Sequence, residues 1–361
     1  DGDHQPAPKA DKGVHFIKIK DIVNNQVSFD AQVYVPQEYY DNLPMERKPQ
    51  KEDVLYTVVG SFGIPSYVQT DELFCFERNI ALLHPNKAIE PRFLYYSLKN
   101  PAFYKGVEIV ANGSAQKLIP LSKLKDLKIS VPDKEAQHRI ADILSVYDNL
   151  IENNQKQIKL LEEAARRLYK EWFVDLRFPG HENTKIVDGV PEGWSRGLLK
   201  ELISVNYGKD HKKAPDDGNI PVYGSGGLMR KCNKSLFSGE AVLIPRKGSL
   251  NNIMYVDETF WTVDTMFYAT MKQPHTAVFV YFFVKAFDMY SMNIGAAVPS
   301  MTTKILDAMD VVIPDKETLE KFDKLTKTYF NKIKTLQGQN ERLKIARDLL
   351  LAKLMSGEVE V

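Results

Sequence analysis

The 361-residue chain is written twice, and this constrains everything else, because a fold made of two copies must house each core and each motif in pairs. Pro132-Asp133-Lys134-Glu135 recurs as Pro314-Asp315-Lys316-Glu317, 182 residues on. The same offset relates Gly113 to Gly295, Leu124 to Leu306, Tyr147 to Tyr329, Ile151 to Ile333, Leu161 to Leu343, Ala164 to Ala346 and Leu168 to Leu350. Nearer the front of each copy, Gly60-Ser61 followed by Tyr67-Val68 matches Gly248-Ser249 followed by Tyr255-Val256, at an offset of 188. The copies therefore share a plan and differ in length between these blocks.

Within each copy the texture changes partway. Residues 14–131 hold short β-branched and aromatic runs, Val54 to Val59, Phe74 to Phe76 and Phe93 to Tyr96, separated by Gly, Pro and Asn, which reads as a strand-rich globular part with some helix. Its counterpart is residues 186–313. After each Pro-Asp-Lys-Glu the pattern turns helical: Asp133 is an N-cap candidate, and Glu135 puts negative charge where the macrodipole favours it. These carboxylates read as caps rather than catalysts.

A heptad laid on the first helix places Ile151, Ile158, Ala165 and Trp172 at one core position and Asn154, Leu161 and Leu168 at the other; the second helix gives Ile333, Asn340, Arg347 and Leu354, with Leu336, Leu343 and Leu350. These are coiled-coil seams, and their polar members Asn154, Asn340 and Arg347 fix register and partner choice at a cost in stability. Under this numbering Asn154 and Asn340 fall in different layers, which favours a packing of unlike helices over a self-dimer. Tyr147 to Phe173, 27 residues, makes a rod ~40 Å long at 1.5 Å rise per residue. One DNA turn is about 34–36 Å, so two heads on such a rod could face successive major grooves. The expected fold is α+β: two strand-rich globular parts in pseudo-twofold tandem, joined by two long coiled-coil helices. The expected boundaries are 1–131, 132–178 for the central helix, 179–313, and 314–361 for the second helix.

At these residues the chain resembles the DNA specificity subunits of type I restriction-modification systems. Pro132-Asp-Lys-Glu-Ala-Gln-His-Arg-Ile-Ala-Asp-Ile-Leu144 is similar to the signature opening that family's central helix, with Asp133 in place of a second proline and Ala136 in place of a glutamate. Asp148 to Asn153, Leu161-Glu162 and Tyr169 to Val174 resemble its spacer helix, Pro191-Glu192-Gly193-Trp194 the entry to a second recognition domain, and Leu349 to Gly357 the terminal helix. The entry segment before Gly13 reads as shortened relative to the family, and with no initiator methionine the natural amino terminus is expected to have been processed or lost. The resemblance implies a non-catalytic subunit of two target recognition domains joined by two long antiparallel coiled-coil helices, which reads a split, asymmetric site on double-stranded DNA. It implies two modification (methyltransferase) subunits and restriction (translocase/nuclease) subunits as partners. S-adenosylmethionine, ATP and Mg are then cofactors of those partners, with none bound by this chain. The competing reading is a coiled-coil scaffold whose globular parts bind something other than DNA.

Composition limits the remaining classes. Hydrophobic residues at 43% and charged residues at 26% are ordinary for a soluble globular protein. The longest apolar stretch, Ala277 to Val284, falls well short of the ~20 residues that span a bilayer. Cys75 and Cys232 are far apart, which excludes a disulfide framework and cysteine zinc sites and fits a reducing, cytoplasmic setting. No Gly-x-x-x-x-Gly-Lys-Ser/Thr string exists to cradle phosphates. Gly224-Ser225-Gly226-Gly227 reads as a turn, and Asn100-Pro101-Ala102-Phe103 as a helix-breaking turn rather than the base-holding loop of an amino-methyltransferase.

With 48 Lys plus Arg against 47 Asp plus Glu, no global field draws the protein to a polyanion, so DNA must be met by local patches. Phosphates call for Lys, Arg and small donors on loops, and base edges for Arg, Lys, Asn, Gln and Ser. Lys209, Lys212, Lys213, Arg230, Lys231 and Lys234, with Tyr223 interleaved, form the densest basic stretch. Arg246, Lys247 and Ser249 lie in the duplicated Gly-Ser block. In the first copy the candidates are Ser61, Gln69, Arg78, Asn79, Gln116 and Lys117.

Overall fold

A computed structural model describes residues 2, 6–112, 117–292 and 299–361; Gly113, Gln116 and Gly295 lie outside the described residues. The chain forms two compact units, 1–154 with 338–361, and 155–337. Each unit therefore takes part of both long helices, where the sequence boundaries had set the helices apart as segments of their own.

In the first unit two small sheets carry the head. β1 (Val14–Ile17) pairs antiparallel with β2 (Tyr34–Val35) and parallel with a strand at Phe74–Phe76. β3 (Val54–Thr57) runs between β4 (Pro65–Tyr67) and the strand Ile80–Leu83, antiparallel to both. The run Phe93 to Tyr96 is a helix, not a strand: it lies in α1 (Pro91–Lys99), followed by α2 (Pro101–Val110). Local chemistry decides this. The Glu90 carboxylate accepts from Phe93 N at 2.6 Å, and Pro91 at the first helical position has no N–H to strand. Asn100 likewise caps α2, accepting from Ala102 N at 3.1 Å, so Asn-Pro here starts a helix.

α3 (Lys134–Tyr169) starts as the sequence suggests, with Asp133 Oδ1 accepting from Ala136 N at 2.8 Å. Buried Gln137 ties this start to the head: its Oε1 accepts from Glu90 N at 2.8 Å and its Nε2 donates to Pro132 O at 3.0 Å. Ile140, Ala141 and Leu144 of α3 join Phe93, Tyr96 and Val107 in one core, which Leu351 and Leu354 of α4 (Lys316–Ser356) complete. The helices run antiparallel. Arg347 donates to Asp148, and Asn154 Nδ2 donates to Asn340 Oδ1 at 2.9 Å, both asparagines buried. Asn154 and Asn340 thus share a layer, contrary to the heptad expectation, because antiparallel helices bring unlike heptad positions face to face.

The second unit is dominated by one six-stranded sheet. β5 (Ile203–Tyr207) lies at one edge, next to the strand Met266–Met271 and then β8 (Phe237–Pro245) and β9 (Met254–Thr262); β6 (Ile220–Gly224) and β7 (Gly227–Cys232) form a hairpin at the other edge. The apolar run Ala277–Lys285 is a nearly fully buried helix on this sheet. Tyr169, Trp172 and Phe173 at the far end of α3 meet Phe322 of α4 and Phe279 in an aromatic cluster with centroids 4.8–6.3 Å apart. Trp194 of Pro-Glu-Gly-Trp donates Nε1 to Asp315 Oδ2 at 2.8 Å, and Asp315 Oδ1 caps α4 by accepting from Thr318 N at 2.9 Å. One repeated motif is thereby pinned by the other. Burial pushes the Asp315 carboxyl up, but the Thr318 and Trp194 donors outweigh it and hold the group below the usual range.

The seam positions are all buried or half-buried: Ile151, Asn154, Ile158, Leu161, Leu168 and Trp172 on α3 and the turn after it, and Ile333, Leu336, Asn340, Leu343, Arg347, Leu350 and Leu354 on α4. Lys99 ends α1 beside this seam. Its Nζ donates to Tyr95 Oη at 3.2 Å and lies 3.7 Å from Asp148 Oδ1, yet burial outweighs the carboxylate and pulls the ammonium down to about 8.

Two outcomes follow. Asp315→Ala removes a cap worth ~1 kcal/mol and strands the Trp194 N–H for another ~1–3 kcal/mol, which chemical denaturation monitored by tryptophan fluorescence reads directly. Lys99 loses its proton in the folded state near pH 8 but in the unfolded chain only near 10.5, so its burden on the fold is full below about 8 and is relieved as pH rises toward 10.5. Between pH 7.5 and 9.5 the native chain should gain on the order of 1 kcal/mol relative to Lys99→Met, and equal pH profiles would contradict the assignment.

Candidate nucleic-acid interface

The duplicated Gly-Ser block forms the same structure in both heads. In the second unit, Arg246 to Ser249 leave β8 in a tight loop whose Gly248 has φ +85°, a left-handed conformation suited to glycine. Gly248 N donates to Pro299 O at 3.3 Å. In the first unit Gly60, with φ +72°, donates its N–H to Lys117 O at 3.1 Å. Pro299 and Lys117 are themselves 182 residues apart, so the loop docks on the same partner segment in each copy.

Each loop is lined by a cation and an aromatic ring. In the second unit the Arg246 guanidinium lies 5.5 Å from the centroid of exposed Tyr207 and donates to Asp264 O at 3.2 Å, while Lys247 and Ser249 are exposed. Tyr290 Oη donates to Gly248 O at 3.2 Å, and Asn252 Nδ2 ties in the β6–β7 turn by donating to Ser225 O at 2.9 Å. In the first unit Lys117 Nζ sits 5.4 Å from the Phe62 ring, which stacks on Tyr104 at 5.9 Å, and Ser61 is exposed beside them. Tyr104 and Tyr290 are 186 residues apart, the offset that also relates Lys99 to Lys285 and Phe93 to Phe279. Sequence reasoning missed Tyr207, Tyr290, Phe62 and Tyr104; the 186-residue offset was the signal that could have found the two tyrosines.

The other candidates divide. Asn79 shares the loop end of its head, its carbonyl accepting from Val58 N at 2.9 Å, with exposed Arg78 next to it in a cleft that Lys9, Lys18, Phe16 and Tyr34 also line. Gln69 is exposed but stands beyond Tyr67, at the opposite end of the β3–β4 hairpin from Ser61. In the second unit Lys212 and Lys213 sit on a single turn capped by Asp210, and Lys231 on β7; all three are exposed, as is Lys209 beyond Tyr207. Arg230 is committed to holding this segment in place: its guanidinium donates to the carbonyls of His211 and of Ala214, the latter at 2.6 Å, and lies 3.4 Å from Asp216. Lys234 Nζ donates to Lys213 O at 3.4 Å. Tyr223 is similarly tied, its hydroxyl donating to Glu258 Oε1 at 2.5 Å; burial and then that carboxylate push the phenol up. Ile220 faces Cys232 at the far end of the hairpin from the Gly224–Gly227 turn, so the Lys212–Lys234 group and the Arg246 loop are separate patches of one head. Among the described residues no group of His, Cys, Asp and Glu is placed to hold a metal ion, and no helix is long and apolar enough to cross a membrane.

Comparison with known proteins agrees with this doubling. The family described as type I restriction modification DNA specificity domain matches residues 5–163 and again 191–344. The type I restriction enzyme MjaIX specificity subunit of Methanocaldococcus jannaschii is 26% identical over 77% of this chain and 71% of its own length. The HindI specificity subunit of Haemophilus influenzae is 23% identical over 96% and 94%. The crystal structure of a type I restriction-modification S subunit from M. genitalium superposes with a TM-score of 0.57 at 21% identity, covering 96% of this chain and 90% of that one, and so shares the fold. With two family matches that between them span most of its length, the chain belongs to the type I restriction-modification DNA specificity family.

Proposed function

We propose that this chain is the sequence-reading specificity subunit of a type I restriction-modification complex, and that its two Gly-Ser loops are the reading loops, one per head. The observation that carries the reading is the repetition of a cation–aromatic cluster at the same docked loop, Arg246 with Tyr207 and Tyr290 in one head, Lys117 with Phe62 and Tyr104 in the other. A planar guanidinium already held by a ring and a carbonyl is preorganised for a bidentate contact to guanine O6 and N7, while Lys247 and the exposed lysines 209, 212, 213 and 231 suit phosphates, which position without specifying. Ser61 and Ser249 add short donors close to the backbone. Because the heads differ in side chains at matching positions, the site they read is bipartite and asymmetric.

Catalysis in this account lies with the partners. Two modification subunits would supply S-adenosylmethionine-dependent adenine methylation, and the restriction subunits ATP- and Mg-dependent translocation and cleavage, with this chain positioning both on the DNA. A near-neutral chain offers few counterion-releasing contacts, so the isolated subunit binds its site weakly and gains affinity when modification subunits contribute cations.

Fluorescence anisotropy of the complex on its cognate duplex tests the assignment of roles. Arg246→Ala should cost ~1–3 kcal/mol on the cognate duplex and narrow the gap to a duplex altered in one half-site. Lys247→Ala should weaken cognate and altered duplexes alike and lower the salt slope by about one. Unchanged affinity for both variants would remove the loop from the interface, and methyl transfer by this chain alone, without a modification subunit, would overturn its non-catalytic role.

A further inference from the structure

The two halves of the helical seam are related by the 182-residue repeat, but their polar residues are not repeated. Asp148, Asn154, Asn340 and Arg347 pair across the helices of the first unit. The positions 182 residues away are Phe330, Leu336, Ile158 and Ala165, all in the second unit. There Ala165 is fully buried, with Phe330 packed on the same core, and Phe330 lines a cleft with Leu160, Glu163 and Arg166 of α3. Leu336 is buried and Ile158 half-buried. One unit thus closes its seam with an amide pair and an ion pair, the other with apolar side chains.

We infer that these four polar residues restrict each long helix to the other one and exclude a second copy of itself. In the observed register 154 faces 340 and 148 faces 347. Moving by the repeat, an α3–α3 pair in that register puts Asn154 opposite Ile158 and Asp148 opposite Ala165. An α4–α4 pair puts Asn340 opposite Leu336 and Arg347 opposite Phe330. Each like pairing buries an amide without a partner, twice over, and breaks the Asp148–Arg347 pair, leaving Asp148 with Tyr96 and Lys99 and Arg347 with Asp348, whereas the unlike pairing satisfies all four. Discrimination of this kind depends on what the wrong pairing leaves unpaired as much as on what the right one gains. The consequence is that two related heads, which would otherwise be free to assemble as two copies of one half, are held to one of each kind. This inference does not depend on what the heads bind.

The test uses the full chain, folded and then cut at a protease site inserted after Gly180, where the backbone is exposed and a Cβ would meet nothing within 4 Å. The nicked protein is equilibrated with a nitrogen-15-labelled copy until halves exchange, and native mass spectrometry counts like and unlike pairs. The native sequence should yield unlike pairs at least tenfold over like pairs. The variant D148F/N154L/N340I/R347A carries at these four positions of the first unit the residues of the second, which removes the polar distinction between the halves and leaves differences such as Trp172 against Leu354, so like pairs should rise at least several-fold. If that variant fails to fold, N154L/N340I serves, with like pairs expected to rise several-fold. Like pairs abundant in the native sequence, or absent from a folded variant, would overturn the inference.

Discussion

The antiparallel pairing of α3 with α4 is the contact on which the rest of the molecule depends, because neither head closes its core without it. Leu351 and Leu354, near the end of the chain, fill the core built by Phe93, Val107 and Leu144, and Phe322 of α4 completes the aromatic cluster that Tyr169 and Trp172 begin. Each head is therefore sealed by residues far away in sequence. Changes in the seam act on head stability as well as on the helices, and the chain cannot be cut into independently folding thirds at the points where its texture changes.

The polar residues in that seam are costly places to put amides and charges, and their pairing explains why they are tolerated. Asn154 and Asn340 satisfy each other, and Asp148 gathers Arg347 and the Tyr96 hydroxyl, which donates to it at 2.8 Å. A buried network of this kind is acceptable only when its members are satisfied, and it then fixes one register. Lys99 at its border shows the other side of burial: a cation near a carboxylate still loses part of its charge when solvent is removed.

Much of this was legible in the letters. The doubled plan lies in the repeat, the heptad positions of both helices are buried or half-buried, and Asp133 caps the helix that follows it. Where the reading failed, the reason was three-dimensional. Phe93 to Tyr96 looks like a strand because aromatic residues favour pleated surfaces, but Glu90 and Pro91 set a helix start immediately upstream. A heptad numbering puts Asn154 and Asn340 in different layers because it does not carry chain direction, whereas the antiparallel helices bring them together. Local charge density found the lysines of the second head but could not tell a free cation from a brace, and Arg230 is a brace. Tyr207 escaped because nothing in a linear sequence says that a ring lies under a guanidinium, whereas Tyr104 and Tyr290 were within reach of the 186-residue offset.

The central claim is that each head reads its own part of one site through its repeated loop. Sequencing the adenine methylome of cells expressing the complex tests this most directly. With the native chain, one split motif should be methylated; with Arg246→Ala, that motif should relax in one half only, and with Ser61→Ala/Lys117→Ala, in the other half only. Relaxation of both halves by either variant, or of neither by both, would contradict the account.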